Sequence, residues 1–240
     1  MKAIILAGGK GTRLLPYTTI FPKPLVPVGE RPILDIVIRQ LAYHGFDDVV
    51  LSVGHLAELI QAYFHSKRQE FSPIKLSYVR EERALGTAGP VKLVPNLGTS
   101  PFLVMNGDVL TKLSYTQLLQ HHERQRFDAT LCVREDEHRV PFGVIETEDE
   151  LITNMVEKPT YRYKINTGIY VLSPEVVASV KVGQRIDMPT LLEQHRQQKK
   201  RIGTYTSYDY WLDIGQMKDY QKAQRDIEIY FKSPNGSNNE

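Results

Sequence analysis

The sequence has little of what defines several protein classes. It contains one cysteine in 240 residues, Cys132, which lies in the stretch ATLCV. A lone thiol cannot form an internal disulfide, and burial in a strand is its simplest interpretation. No apolar run approaches the length of a membrane span, and the apolar part of the opening MKAIILAGG is too short for a signal peptide. We therefore expect a cytoplasmic protein without a membrane partner.

A strong charge imbalance is also missing. The chain has 30 Lys and Arg against 28 Asp and Glu, a formal net charge of +2. No large basic field is available to hold a nucleic-acid backbone. The simplest role for the basic run RQQKKR at 196–201 is to keep the end of a helix in solvent and to balance the negative end of the helix dipole. We expect no nucleic-acid partner, while small anions can still bind through local groups.

Strands and helices alternate in the first half of the chain. Short apolar runs rich in β-branched residues occur at 3–6, 49–53, 74–79 and 102–105. Helical spacing between and after them predicts helices over 32–43, 55–64 and 114–126, the last opened by a capping box of Ser114 and Gln117. Such alternation indicates parallel βαβ units.

The second half is richer in strands. The runs ATLCV, FGVIE, LITNMVE and NTGIYVL follow one another between 129 and 172 with only loops between them. A short helix is predicted from Ser173, a second one, capped by Asp187, extends through Gln198, and a third covers 216–231. Residues 205–214 are predicted to return to the sheet. We expect one domain over 1–232, with halves 1–127 and 128–232, a site between the halves, and a flexible tail at 233–240.

The first predicted strand runs directly into the glycine-rich segment AGGKGTRLLP at 7–16. The backbone N–H groups of such a turn can wrap phosphates. The segment matches neither GxGxxG nor the Walker motif, because Thr12 and Arg13 follow Gly11. This argues against a dinucleotide oxidoreductase and a P-loop ATPase, and leaves an ordinary tight turn as the alternative.

A lysine between two prolines follows at Lys23, within PKPLVP. Prolines on both sides restrict its backbone and reduce the freedom lost when the ammonium group binds an anion. Taken alone, a solvated lysine in a proline-rich loop is the simpler interpretation.

Two separate carboxylates are candidates for a metal site. Asp108 follows the buried run FLVMNG, and the carboxyl end of a parallel strand faces the ligand crevice of an open α/β sheet. Asp213 ends a second apolar segment and could meet Asp108 to supply oxygen ligands to Mg²⁺. The alternative for Asp213 is a cap on the following helix. Glu157 and Lys158 are adjacent at a strand end, where an exposed pair contributes little.

Together, the glycine-rich and lysine segments resemble the signature of the sugar-1-phosphate nucleotidyltransferases, also called nucleoside-diphosphate-sugar pyrophosphorylases. The similarity continues in order through LGTAGP at 85–90, MNGD at 105–108, FGV at 142–144, EKP at 157–159, NTGIY at 166–170 and WLDIG at 211–215. The resemblance implies an α/β, Rossmann-like three-layer sandwich with a mostly parallel mixed sheet and a strand-rich sugar-binding insertion. LGTAGP is similar to the matching stretch of GDP-mannose pyrophosphorylases and related guanylyltransferases.

The resemblance also implies a role for each matching residue. The expected catalytic residues are Arg13, Lys23 and Asp108, and the expected Mg²⁺ ligands are Asp108 and Asp213. The expected nucleotide-binding residues are Leu6, Ala7, Gly8, Gly9, Gly11, Thr12, Arg13, Glu81, Gly86 and Thr87. The expected sugar-phosphate-binding residues are Asn106, Gly143, Glu157, Lys158, Asn166 and Gly168. The implied substrates are a nucleoside triphosphate and a sugar 1-phosphate, which react by direct in-line displacement of pyrophosphate.

The base is expected to be guanine. A carboxylate only accepts hydrogen bonds, and guanine offers an N1–H and an amino group that Glu81 or Glu82 could accept. Uracil and thymine each present a single ring donor, so UTP and dTTP are the alternatives. For the sugar we expect a hexose or heptose of the mannose, glucosamine or heptose type.

Two other functions compete with this prediction. A glycosyltransferase of similar architecture would commonly hold its metal with an Asp-x-Asp motif, which this sequence does not contain. A non-catalytic sensor of sugar nucleotides would not need Arg13, Lys23, Asp108 and Asp213, all of which are present. The sequence is compatible with a homodimer and does not determine the oligomeric state.

Overall fold

The computed structural model of this chain describes residues 1–231. Its strands are β1 (Lys2–Ala7), β2 (Pro27–Val28), β3 (Arg31–Pro32), β4 (Asp48–Val53), β5 (Lys75–Arg80), β6 (Phe102–Asn106), β7 (Val109–Thr111), β8 (Ala129–Arg139), β9 (Val144–Glu148), β10 (Leu151–Val156), β11 (Thr160–Leu172), β12 (Ile202–Thr206) and β13 (Trp211–Asp213). Its α-helices are α1 (Ile33–Tyr43), α2 (Ala57–Ser66), α3 (Tyr115–Gln125), α4 (Pro174–Ala178), α5 (Met188–Gln197) and α6 (Met217–Tyr230).

Seven strands form the central sheet, in the order β12-β8-β11-β6-β1-β4-β5. The pairs β6-β1, β1-β4, β4-β5 and β8-β12 are parallel. Strand β11 is antiparallel to both of its neighbours, β6 and β8. The predicted α/β fold with a mostly parallel mixed sheet is confirmed.

Apolar side chains alternate between the two faces of the sheet, because successive residues of a strand point in opposite directions. Ala3 and Ile5 of β1 pack into a cluster with residues of α1, α2, α3 and α6, whereas Ile4 packs into a second cluster with α4 and α5. Helices therefore cover both faces, which gives the expected three layers. Cys132 is 1% exposed, in agreement with its interpretation as a buried strand residue.

Two helix starts differ from their predictions. The Ser114 hydroxyl accepts the N–H of Gln117 at 3.4 Å, which is one half of the predicted capping box. Asp187 is the N-cap residue of α5, but its carboxylate accepts the N–H of Thr87 at 3.1 Å instead of capping the helix. The Thr87 hydroxyl in turn accepts the N–H of Met188 at 2.7 Å. Thr87 has replaced the local cap, so the loop that contains Thr87 is attached to the start of α5.

The predicted return of residues 205–214 to the central sheet is wrong in part. Strand β12 pairs with β8 at the sheet edge, but β13 pairs with β7 in a separate two-stranded ribbon. This ribbon brings the Ile214 N–H within 3.0 Å of the Asp108 carbonyl oxygen. The local sequence pattern carries no information on which partner an apolar strand selects.

Beyond the sheet, β9 and β10 form a second antiparallel ribbon whose residues are mostly exposed. The predicted tail at 233–240 lies outside the described residues. No helix in residues 1–231 has the length and apolarity needed to cross a membrane.

Candidate active site

The carboxyl ends of β1, β4, β5 and β6 meet at one edge of the sheet, where open α/β sheets bind ligands. A cavity of about 330 Å³ lies there, lined by Leu6, Ala7, Gly8, Gly9, Lys23, Pro24, Glu81, Ala84, Gly86, Thr87, Asn106, Gly107 and Asp108. Most of the residues expected to bind nucleotide line this cavity together with two of the three expected catalytic residues. Gly11, Thr12 and Arg13 do not line it.

Gly11 holds the glycine-rich turn against the lysine segment. Its φ of 64° is left-handed, and a Cβ there would lie 2.9 Å from both the Lys23 Cβ and the Thr18 Cγ2. The Thr18 hydroxyl also donates to the Gly11 carbonyl oxygen at 2.8 Å. Because a side chain would be strained and crowded here, only glycine suits the position. The two motifs that are separate in the sequence form one packed unit.

Lys23 is a buried cation that lines the cavity, and the residue as a whole is 7% exposed. It begins a 3-10 turn in which the Leu25 N–H reaches the Pro22 carbonyl at 2.8 Å and the Val26 N–H reaches the Lys23 carbonyl at 3.0 Å. Its ammonium group donates to Oδ2 of Asp108. A lysine this buried needs a charge partner, so the interpretation as a solvated surface lysine is wrong.

Asp213 lies close to Asp108 and to the two cations, Lys23 and Arg13. Burial, followed by the nearby charge of Asp108, raises the pKa of Asp213, and the cations of Lys23 and Arg13 partly oppose this shift. Asp213 does not cap the next helix, because the N-cap residue of α6 is Gln216, whose N–H donates to Asp219 Oδ2 at 2.9 Å.

Arg13 reaches the same cluster from the glycine-rich turn. A Cβ on Gly215 would lie 3.5 Å from Arg13 Nη1 and 3.6 Å from Asp213 Oδ2. Both distances are ordinary van der Waals contacts, and they show that the guanidinium and the carboxylate both lie beside Gly215. Two cations and two carboxylates are gathered from four distant segments.

This cluster fits a magnesium ion that arrives with phosphate groups. Mg²⁺ is commonly held by one or two carboxylates plus water and substrate phosphate oxygens. Within residues 1–231, no group of three or more His, Cys, Asp or Glu side chains is suitably placed for a metal. Asp108 and Asp213 could supply two oxygen donors, and the remaining ligands would have to come from substrate and water.

Glu81 lines the same cavity and its carboxylate packs directly against the glycine-rich turn. A Cβ on Gly8 would lie 2.3 Å from Glu81 Oε1, and a Cβ on Gly54 would lie 2.8 Å from the Gly8 carbonyl oxygen. Burial raises the pKa of Glu81, while hydrogen bonds from the Ser52 hydroxyl and the Leu85 N–H act in the opposite direction. Glu82, the other candidate for base recognition, is exposed and does not line the cavity.

The expected sugar-phosphate residues form two groups. Asn106, Asn166 and Gly168 lie together: the Gly168 N–H donates to Asn166 Oδ1 at 2.9 Å, and a Cβ on Gly168 would lie 2.5 Å from Asn106 Nδ2. Gly143, Glu157 and Lys158 lie at the base of the β9-β10 ribbon. A Cβ on Gly143 would be 3.0 Å from Glu157 Oε2, and Lys158 Nζ lies 3.7 Å from Glu157 Oε1. The Glu157 and Lys158 side chains are 73% and 54% exposed, as their alternative interpretation as a surface pair requires.

Sequence reasoning did not identify several residues of this site: Ser52, Gly54, Pro24, Ala84 and Gly107. Pro24 and Gly107 lie inside the segments PKPLVP and MNGD, so the neighbouring residues of each were the available signal. For Ser52 the signal was weaker, a single hydroxyl residue in an otherwise apolar run.

A family model described as nucleotidyl transferase matches residues 2–229. The chain is 34% identical over 232 residues to a mannose-1-phosphate guanyltransferase of Candida albicans, covering 92% of this chain and 62% of that protein. It is 33% identical over 253 residues to a UTP--glucose-1-phosphate uridylyltransferase of Synechocystis sp., covering 95% of this chain and 63% of that protein. The chain thus spans less than two thirds of the length of both relatives.

Among solved structures, the crystal structure of HddC from Yersinia pseudotuberculosis complexed with GMP-PN superimposes with a TM-score of 0.72. The match covers 94% of this chain and 99% of that chain at 24% identity. A likeness at this level of identity shows a common fold.

Proposed function

The chain belongs to the nucleotidyl transferase family, and we propose that it joins a nucleoside triphosphate to a sugar 1-phosphate, with release of pyrophosphate. One observation carries the proposal: a glycine-rich turn, a buried lysine and two carboxylates meet at the carboxyl edge of a parallel sheet. This arrangement suits a substrate that brings several negative charges. We propose that the half at 1–127 binds the nucleotide, that the half at 128–232 binds the sugar, and that the enzyme is cytoplasmic and forms a homodimer.

The glycine-rich turn and its neighbours would bind the nucleotide. The residues proposed for this role are Leu6, Ala7, Gly8, Gly9, Gly11, Thr12, Arg13, Glu81, Gly86 and Thr87. Backbone N–H groups of such a turn offer donors to phosphate oxygens without a bulky side chain in the way. The packing of Gly11 on Lys23 supports joint action of the turn and the lysine on one triphosphate.

Enzymes of this family generally use a divalent metal. We propose Mg²⁺ held by Asp108 and Asp213. When bound, the ion supplies positive charge to the phosphate oxygens. The hard carboxylate oxygens of Asp108 and Asp213 support this choice, since the two groups lie close enough for the charge of Asp108 to raise the pKa of Asp213.

The chemistry assigned to the protein is positioning and charge neutralisation. An oxygen of the sugar 1-phosphate attacks the α-phosphorus in line, and pyrophosphate leaves. Lys23 and Arg13 would stabilise charge that moves onto the leaving group, and holding the two anions together removes much of the entropic barrier. Asn106, Gly143, Glu157, Lys158, Asn166 and Gly168 would hold the sugar phosphate, with Lys158 on its phosphate and Glu157 on its hydroxyl groups.

For the base we propose guanine, with Glu81 as the residue that recognises it. Glu81 lines the cavity and is half-buried, whereas Glu82 is exposed. Two carboxylate oxygens match the two adjacent donors of guanine. The name of the Candida relative supports a guanine base and mannose 1-phosphate as the sugar substrate, and the name of the Synechocystis relative keeps UTP with glucose 1-phosphate as the alternative.

Pyrophosphate release from the purified protein tests this proposal. The assay would combine five triphosphates with several sugar 1-phosphates, including those of mannose, glucosamine, glucose and a heptose, at saturating Mg²⁺. We expect GTP with a mannose-type sugar to give the highest kcat/KM. A preference for UTP or dTTP over GTP above about tenfold, or ~1.4 kcal/mol, would overturn the guanine assignment alone.

The same assay separates the competing functions. A glycosyltransferase would consume a nucleotide sugar and release no pyrophosphate from a triphosphate. A non-catalytic sensor would bind the nucleotide without turnover in any combination. Absence of pyrophosphate in every combination, with nucleotide binding retained, would contradict the proposed enzyme.

A further inference from the structure

Ser52 places a hydroxyl group inside an apolar strand. Its neighbours in β4, from Val49 to Val53, are buried, and Ser52 itself is 0% exposed. It lies opposite Leu6 of β1 and Val79 of β5 in the parallel sheet. A hydroxyl buried in this way is unfavourable unless it makes a hydrogen bond. Its partner is therefore the feature that accounts for the residue.

That partner is Glu81. The Ser52 hydroxyl donates to Oε1 of Glu81 at 2.9 Å, and the Leu85 N–H donates to Oε2 at 3.3 Å. Each carboxylate oxygen thus receives one hydrogen bond from the protein. The backbone is fixed as well, because the Glu81 N–H donates to the Val53 carbonyl oxygen at 2.8 Å. Both ends of the Glu81 side chain are held in one orientation.

The missing side chain of Gly8 makes room for the Glu81 carboxylate in that orientation. Oε1 of Glu81 lies over Gly8, and a Cβ added to Gly8 would be 2.3 Å from it. The carboxylate therefore contacts the backbone of the glycine-rich turn. Each oxygen keeps a second lone pair that can accept from a ligand. A carboxylate held by two donors presents two acceptors at a fixed spacing, whereas a freely rotating one would lose entropy on binding a base.

From this geometry we infer that Ser52 is a positioning residue for base selection: it does not contact the nucleotide, and it fixes the Glu81 carboxylate so that both oxygens face the donors of the base. The inference rests on the proposed nucleotide-binding function of the same cavity. It adds a residue, buried one layer behind the site, on which base preference depends.

The test is the base preference in binding, measured without a sugar phosphate so that no turnover occurs. Dissociation constants for GTP, ITP, UTP and dTTP would be measured by titration calorimetry with Mg²⁺ for the wild type, Ser52→Ala and Glu81→Gln. ITP lacks the 2-amino group of GTP, so the difference between the two ligands measures what the second carboxylate oxygen of Glu81 contributes to binding. We expect Ser52→Ala to weaken binding of the preferred base by about tenfold and to move the preference towards that of Glu81→Gln.

A matched control separates positioning from loss of stability. Thr130→Val removes another fully buried hydroxyl, one that hydrogen-bonds to His122 Nδ1 at 2.9 Å, and it should leave the base preference unchanged. Ser52→Thr keeps the hydroxyl and should retain more of the preference than Ser52→Ala. Unfolding temperatures of all variants show whether each one is folded at the temperature of the titration.

The outcomes distinguish the two proposals. If Glu81→Gln changes the preference and Ser52→Ala does not, Ser52 has no positioning role and the inference falls. If neither variant changes it, the role of Glu81 and this inference fall together. If the wild type prefers UTP and Ser52→Ala reduces that preference, the guanine assignment is wrong while the positioning role of Ser52 is supported.

Discussion

Lys23 donates through its ammonium group to Oδ2 of Asp108, across 85 residues of sequence. The residue proposed to stabilise the leaving group thus neutralises the residue proposed to bind the metal. Both side chains are largely removed from water, with exposures of 9% for Lys23 and 24% for Asp108. Substrate and metal must therefore enter a site whose charges are already paired, and each partner should be sensitive to loss of the other.

Asp108→Asn should abolish turnover in a chain that still folds, and it should lower the unfolding temperature because Lys23 loses its charge partner. The amide has nearly the same shape as the carboxylate but removes one charge from the proposed Mg²⁺ site. Pyrophosphate release with excess Mg²⁺ measures the effect, and circular dichroism shows that the variant is folded. Activity within a few-fold of the wild type would remove Asp108 from the metal site.

Asp213→Asn should also abolish turnover, and it should raise the unfolding temperature of the ligand-free protein at pH 7. Burial and Asp108 raise the pKa of Asp213 above its ordinary value of 3.8, so ionised Asp213 is less favourable in the folded chain than in the unfolded one. The unfavourable contribution is present at neutral pH. It disappears as the pH falls below the ordinary pKa, where the carboxyl group is protonated in both states.

Unfolding temperatures of Asp213→Asn and the wild type between pH 3 and pH 8 would test this dependence. The increase in unfolding temperature caused by Asp213→Asn should be largest at neutral pH and absent at pH 3. Asp149→Asn, in an exposed turn of the β9-β10 ribbon where asparagine also tolerates the left-handed φ of 54°, is the matched control. A loss of stability in Asp213→Asn at pH 7 would contradict the argument.

Lys23→Ala and Lys158→Ala should fail in different ways. Removing a buried, preorganised cation should lower kcat by on the order of 10²-fold or more. Lys158 is 54% exposed at the base of the ribbon, and its loss should mainly raise the KM for the sugar phosphate. Steady-state kinetics with each substrate varied in turn would separate the effects. The same defect on the same substrate in both variants would rule out separate roles.

Gly8→Ala should destabilise the protein and weaken nucleotide binding. The new Cβ would lie 2.3 Å from Glu81 Oε1, so the carboxylate must move, at a cost of about 1–3 kcal/mol typical of overpacking. Gly9→Ala is the matched control for stability, since nothing lies within 4 Å of a Cβ there. Thermal unfolding would show the difference. Glu81→Ala combined with Gly8→Ala should recover most of the lost stability, and no recovery would show that the crowding has another source.

Much of the fold could be predicted because its signals are local. Helix α1 was expected over 32–43 and occupies Ile33–Tyr43, since apolar spacing and a proline at its start depend only on nearby residues. The early strands were expected for the same reason. The start of α5 shows where this reasoning fails, because the Asp187 carboxylate bonds to Thr87, a residue remote in sequence.

The sequence by itself determined the α/β class, the glycine-rich turn, the proline-flanked lysine and the presence of separate carboxylates, since residue type and spacing define each of these. Only the tertiary structure decided which of them meet. Asp213 reaches Asp108 because β13 pairs with β7, and Glu81 is held by Ser52 because β4 and β5 are neighbours in the sheet. Strand pairing is set by long-range packing that buries apolar faces, and a local pattern does not specify its partner.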